Sequence, residues 1–198
     1  MIAVLLAASL ASIPADRAFE PWFTERQVSV SIARVPGGTP WIRGVAELPV
    51  PAEAVFTVVV DYPHYREFFH PAVKEAAVLE SEGESARIHF VWPYPFPFRN
   101  RDAIVAYRGE RLPEGGFLLS WHDAAKPGDP SEGVRIKRVA GETRIEPLGL
   151  DRCLVTYTYL GDLGGRFPKT VEEKAWRHEP VGYMLAIQRR LKLPDVQK

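Results

Sequence analysis

The chain has 198 residues, 46% of them hydrophobic and 11% aromatic, which is enough apolar material for one sizeable core and little for a second. Its 25 basic and 25 acidic side chains cancel, so no global field draws it to nucleic acid or to an anionic bilayer, and any membrane contact has to be local and transient. A single cysteine, Cys153, excludes an intramolecular disulfide and a multi-cysteine zinc site, and His64, His70, His89, His122 and His178 show no metal-binding spacing. No metal and no cofactor is expected, and the chain reads as a monomer.

Residues 2 to 11 are almost uninterruptedly apolar and are followed by Ser12, Pro14, Asp16 and Arg17. A helix over residues 2 to 13 would rise only ~18 Å against a hydrocarbon core of roughly 30 Å, too short for a stable anchor. Ser9 and Ala11 supply the small residues that a signal peptidase reads, so residues 1 to 18 are expected to be an export signal, cleaved after Ala11, plus a short leader. The domain proper is then 19 to 198, in the periplasm or outside the cell. No Lys or Arg precedes the apolar run, which keeps open a cytoplasmic chain whose first residues pack on the domain.

Residues 26 to 34 and 42 to 48 alternate as strands, with Val28, Val30 and Ile32 on one face and a Pro36-Gly37-Gly38 turn between the two segments, so a hairpin is expected. Pro51 suits the first turn of a helix running to about residue 60, and Glu53 complements its dipole. Val55, Val58 and Val59 fall at i, i+3 and i+4, although Val58-Val59-Val60 also suits a strand. Asp61 can cap a second short helix, 62 to 69, ended by Pro71.

The period then changes. Runs at 73 to 80, 86 to 92, 101 to 108, 116 to 122, 133 to 139, 142 to 147 and 152 to 160 are separated by turn residues and predict an antiparallel meander. Leu154, Thr156, Thr158 and Leu160 share one face and Val155, Tyr157 and Tyr159 the other, so the sheet is covered on one side and partly on the other.

Residues 169 to 193 read as a long helix with Val171, Ala175, Val181, Met184, Leu185, Ile187 and Leu191 broadly on one side. Pro180 inside it predicts a kink or a break near 178 to 180, and two helices would also satisfy these residues. The order of elements describes an α+β helix-grip fold, in which a curved antiparallel sheet wraps a long C-terminal helix and two short helices follow the first strands. Other α+β folds share that order.

Three ordered motifs carry a resemblance. Residues 92 to 102, Trp-Pro-Tyr-Pro-Phe-Pro-Phe-Arg-Asn-Arg-Asp, resemble the proline-rich turn and Asn-Arg-Asp strand start of START (steroidogenic acute regulatory protein-related lipid transfer) domains. Residues 132 to 137, Glu-Gly-Val-Arg-Ile-Lys, are similar to that family's central strand, and residues 161 to 168, Gly-Asp-Leu-Gly-Gly-Arg-Phe-Pro, to the entry of its last helix, where Pro180 also has a likeness. The resemblance spans about residues 25 to 193. It implies a START-like fold with an internal cavity that binds a lipid or other hydrophobic small molecule, with transfer, storage and sensing all open, and with no cofactor and no catalytic centre. A polyketide cyclase or hydrolase on the same fold, and a ligand-sensing interaction module, are the alternatives.

Pro93, Pro95 and Pro97 donate no ladder hydrogen bonds, so their stretch is a connection whose aromatics, with Trp92, cover a core or line an opening. Arg101 and Asp102 are neighbours in a strand and point to opposite faces unless a bulge intervenes. A charged pair facing an apolar cavity would offer a head group or hydroxyl its polar contact, whereas the other readings are an ion pair that pins the strand start and a solvent-exposed turn. Trp121, Tyr157, Tyr159, Trp176, Met184 and Ile187 are candidate lining residues, with plain core as the alternative. His122-Asp123 reads as a surface pair, Arg189, Arg190 and Lys192 as a solvated helix end or a membrane contact, and Gly164 and Gly165 as hinge positions.

Overall fold

Alternating strands carry most of the chain into one ten-stranded sheet, seen in a computed structural model that describes residues 13–113, 115–164 and 167–192. The expected signal segment and its cleavage site, and Gly165, lie outside the described residues. Three strands come first: β1 (Glu20–Glu25), β2 (Val28–Ala33) and β3 (Trp41–Leu48). Helix α1 (Ala52–Val59), a 3-10 turn (Tyr62–His64) and the single-turn α2 (Tyr65–Phe68) follow. The remaining strands are β4 (Glu75–Glu82), β5 (Ser85–Trp92), β6 (Arg101–Arg111), β7 (Phe117–Asp123), β8 (Val134–Arg135), β9 (Val139–Pro147) and β10 (Cys153–Gly161), and α3 (Lys169–Arg190) closes the domain.

The sheet order is β1-β2-β3-β10-β9-β7-β6-β5-β4, antiparallel at every step. The β2–β3 hairpin and the meander follow the sequence pattern, and pairing of β3 with β10 joins the two halves into a curved sheet that grips α3. Three expectations need correction. Glu20–Glu25 forms a strand on the outer edge of β2, although Glu-Pro-Trp-Phe-Thr-Glu carries no alternation. The run 133 to 139 is largely not a strand: Val134 and Arg135 pair parallel to β6, the Val134 and Ile136 amides donating to the Asn100 and Asp102 carbonyls. Asp61 makes no capping bond, because its carboxylate is taken by His64 Nδ1 at 2.7 Å and by Arg190.

Helix α3 is continuous through Pro180 rather than two helices. Proline removes the amide that would bond the carbonyl four residues back. That carbonyl, of Trp176, instead accepts the Tyr159 hydroxyl at 3.1 Å, so the helix keeps its bond count with help from the sheet. The proline ring is accommodated by Gly44 of β3, where a Cβ would lie 2.6 Å from Pro180 Cβ.

The main core lies between the concave sheet face, α1 and the second half of α3. Phe56 of α1 stacks on Phe117 of β7 at 4.5 Å, and Val181, Met184 and Ile187 of α3 are buried. Each such large side chain contributes about 1.5–3 kcal/mol relative to exposure. A smaller cluster of Ala33, Trp41, Ala140 and Leu160 lies under Ile13 and Phe19, covering part of the other face.

Candidate functional site

Strand alternation sends every second side chain to the concave face, and beneath the first half of α3 these side chains fill the space only in part. A hollow remains there, with about 170 Å³ open to the centres of water molecules. Its floor is built by Phe90 and Trp92 of β5, Arg101, Val105 and Tyr107 of β6, Trp121 of β7, and Tyr157 and Tyr159 of β10. Ala175, Trp176, Glu179 and Tyr183 form the roof, a spacing that keeps them on one face of α3. Tyr65 and Phe69 close one end.

The wall is a stack of rings. Tyr157 lies parallel to Tyr183 at 4.0 Å, to Trp121 at 5.4 Å and to Tyr159 at 5.3 Å. Their polar tips are occupied: Tyr183 shares a 2.9 Å hydrogen bond with Thr143 Oγ1, Trp176 Nε1 donates to the Gly161 carbonyl at 3.2 Å, and Tyr157 donates to Glu179 Oε1 at 3.0 Å. Burial raises the pKa of Tyr107, Tyr157, Tyr159 and Tyr183, so these phenols stay neutral. What faces the hollow is therefore aromatic surface with hydroxyls at its edges.

Arg101 is 4% exposed and sits at the end of the hollow nearest α3's entry. It has no carboxylate partner among the described residues. Its guanidinium donates to the carbonyls of Leu163 (3.0 Å), Gly164 (3.2 Å) and Arg99, and lies 4.2 Å over the Phe167 ring and 5.4 Å from the Tyr94 ring. Burial lowers its pKa somewhat without removing the charge. Gly164 holds φ +66° and donates its amide to Asp162 Oδ1 at 2.9 Å.

Asp102 points to the opposite face, with no bulge between the two. It is fully buried, with its Oδ2 3.0 Å from His89 Nε2 and 2.7 Å from Arg135 Nη2. Burial pushes its carboxyl up, and the hydrogen bonds from Arg135 and His89 and the backbone at Glu132 outweigh this and hold it below the usual range. The pinning ion pair is thus Asp102 with Arg135, and Asp102 does not reach the hollow.

Of the other candidate lining residues, Trp92, Trp121, Tyr157, Tyr159 and Trp176 come together around the hollow. Met184 and Ile187 do not: both are fully buried in the core further along α3. His122 and Asp123 are half-buried at the end of β7. Arg189 and Arg190 are more than a solvated end, since Arg189 donates to the His70 carbonyl at 3.2 Å and Arg190 pairs with Asp61, tying α3 to α2. Sequence reasoning missed Tyr65, Tyr107, Tyr183 and above all Glu179. A signal was present: Trp176, Glu179 and Tyr183 recur at i, i+3 and i+7, one face of a helix.

A curved antiparallel sheet closed around a C-terminal helix, with an aromatic hollow beneath that helix, defines a helix-grip domain. The sequence model of the START domain matches residues 14–183, and the chain belongs to that family. An uncharacterized protein of Pseudomonas aeruginosa is 23% identical over 171 residues, covering 83% of both chains. Among solved structures, a STAR-related lipid transfer protein of Xanthomonas axonopodis superposes with a TM-score of 0.78 at 21% identity, over 88% of this chain and 99% of that one. Human STARD10 gives 0.74 at 20% identity, over 92% and 81%. At these identities the likeness is one of fold.

Proposed function

We propose that the protein binds one lipid, or a similarly apolar small molecule, in the hollow beneath α3 and carries it between membranes without bond chemistry. The observation that carries this reading is the hollow itself, an aromatic floor and roof with most polar tips already hydrogen-bonded. At about 170 Å³ the hollow is smaller than the ~300–1,000 Å³ usual for small-molecule pockets, so a whole acyl chain or fused-ring skeleton enters only if α3 or the segment 161 to 164 shifts outward. Each methylene withdrawn from a bilayer costs about 0.8 kcal/mol unless the protein replaces its surroundings, so a sixteen-carbon chain needs on the order of 13 kcal/mol of apolar contact.

The proline-rich loop between β5 and β6 supports membrane delivery. Phe96 is 96% exposed at its tip, two residues from Tyr94 on the cavity wall. We place the transient bilayer contact there. The test is native extraction of purified protein followed by lipid mass spectrometry, together with transfer of a fluorescent lipid between vesicles. An intact apolar molecule in one-to-one amount and transfer slowed in Phe96→Ser are expected. Protein that carries nothing and takes up no lipid overturns the reading.

A further inference from the structure

Glu179 is an acidic side chain inside an aromatic hollow, and its surroundings say what it is for. It hangs from the roof with Trp176 and Tyr183. Its Oε1 accepts the Tyr157 hydroxyl at 3.0 Å, and it forms no ion pair among the described residues. The groups facing it are Tyr157 and Tyr159 from β10, Tyr107 from β6, Tyr94 from the proline-rich loop and Tyr183 from its own helix, all phenols. The charges elsewhere on the wall are committed, Arg101 to three carbonyls and Asp162 to the Gly164 amide.

A carboxylate facing aromatic surface without a cation beside it is costly, and Glu179, half-buried in the wall, keeps its proton to a higher pH than an exposed glutamate does. Burial accordingly raises the Glu179 pKa, with only the Tyr157 hydrogen bond opposing. A protonated carboxyl has one O–H to give and lone pairs to spare after Tyr157 has bonded. The Tyr107 hydroxyl, also on the wall, has no hydrogen-bond partner among the described residues, and it feels the Glu179 charge. Together they present a donor and an acceptor into a space whose other charged wall groups, Arg101 and Asp162, are held by the backbone.

From this we infer that Glu179 and Tyr107 are the polar end of the ligand site and recognise an uncharged hydroxyl or carbonyl on a single-chain or ring-bearing neutral lipid. The assignment rests on the lipid-carrier reading and narrows it. Among the described residues an anionic head finds no cation beside Glu179 other than Arg101, which is held by three carbonyls. A neutral alcohol or ketone satisfies the carboxyl without bringing a charge into the hollow.

The test compares a pyrene-labelled fatty alcohol with the pyrene-labelled hydrocarbon of the same length, both offered from neutral phosphatidylcholine vesicles, with a long-chain ammonium as competitor. The wild type is expected to prefer the alcohol about tenfold, the equivalent of one well-made hydrogen bond. As pH rises through the elevated ionisation of Glu179 its O–H is lost, so binding of the matching pyrene-labelled ketone, which can only accept, weakens while hydrocarbon binding does not. Glu179→Gln retains both donor and acceptor and is expected to keep the preference and lose the pH dependence. Glu179→Leu is expected to bind both probes equally. An undiminished alcohol preference in Glu179→Leu overturns the assignment, as does an ammonium competitor that grows stronger with pH and displaces the alcohol. Failure of the wild type to bind either probe overturns the lipid-carrier reading and this one with it.

Discussion

Asp102 Oδ2 and Arg135 Nη2 lie 2.7 Å apart on the face of the sheet turned away from the hollow, one residue along the strand from Arg101, which faces it. The start of β6 thus serves two purposes on its two sides. The Asp102 side chain is fully buried, and its Oδ1 has no hydrogen-bond partner among the described residues. Removing its charge strands Arg135 and His89 together. Asp102→Asn is expected to cost about 3 kcal/mol, the low end for a broken buried pair, because Arg135 keeps 17% of its side-chain surface. Urea unfolding measures this. Since the folded carboxyl titrates below its unfolded value, the stabilisation is present above the ordinary aspartate pKa and is lost as pH falls through the depressed one.

Gly141 of β9 is crossed by the Trp121 ring. A Cβ there would sit 2.4 Å from Trp121 Cζ2 and 2.4 Å from the Thr158 carbonyl oxygen. The carbonyl belongs to the β10 ladder and cannot retreat, so the indole must move off its stack with Tyr157. Gly141→Ala is expected to lower stability by about 1–3 kcal/mol, as for overpacking, and to weaken uptake of a fluorescent lipid. Thermal unfolding and a binding titration on the same sample separate the two effects.

Arg101 holds the backbone at 163 to 164 against the proline-rich loop through a planar fork and two rings. Lysine retains the charge and loses the fork. Arg101→Lys is expected to release bound fluorescent lipid roughly tenfold faster, the equivalent of about 1.4 kcal/mol of lost hydrogen bonding, with a smaller loss of global stability. Stopped-flow transfer to acceptor vesicles reads the release rate.

Glu179 also links folding to pH, in the opposite sense to Asp102. Its pKa is raised by burial, so the folded state pays nothing while the carboxyl is protonated and loses stability as pH climbs from the ordinary glutamate value through the elevated one. Glu179→Gln is expected to flatten that decline and to be the more stable protein at alkaline pH. Unfolding curves across pH 4 to about 9, the span over which a buried glutamate titrates, test it.

Much of the fold could be read from periodicity, because β2, β3, β7 and the first halves of β5 and β10 alternate and proline or glycine punctuates the strands. The edge strand β1 was hidden since it is held mainly by backbone pairing with β2, which leaves no mark on side-chain type. The segment 133 to 139 looked like a strand for the reverse reason. Its apolar Ile136 is buried against the cavity end while its backbone leaves the ladder after Arg135. On α3, period alone could not tell core from cavity: Met184 and Tyr183 are adjacent and both buried, and only the sheet's curvature decides that Tyr183 meets the hollow and Met184 does not. Glu179 was passed over because a charged helical residue ordinarily faces water.

Leu48 of β3 lies opposite Cys153 of β10, and Glu47 accepts a hydrogen bond from Arg152, 105 residues further on. During synthesis the β1–β3 ribbon therefore emerges with one open edge and waits for its neighbour. At ~5–20 residues per second the ribosome needs on the order of 5–20 s to supply it. Throughout that delay Ile42, Ala46 and Leu48, all buried in the finished domain, lack their cover, so the nascent chain is most exposed to aggregation before its last strand has been translated.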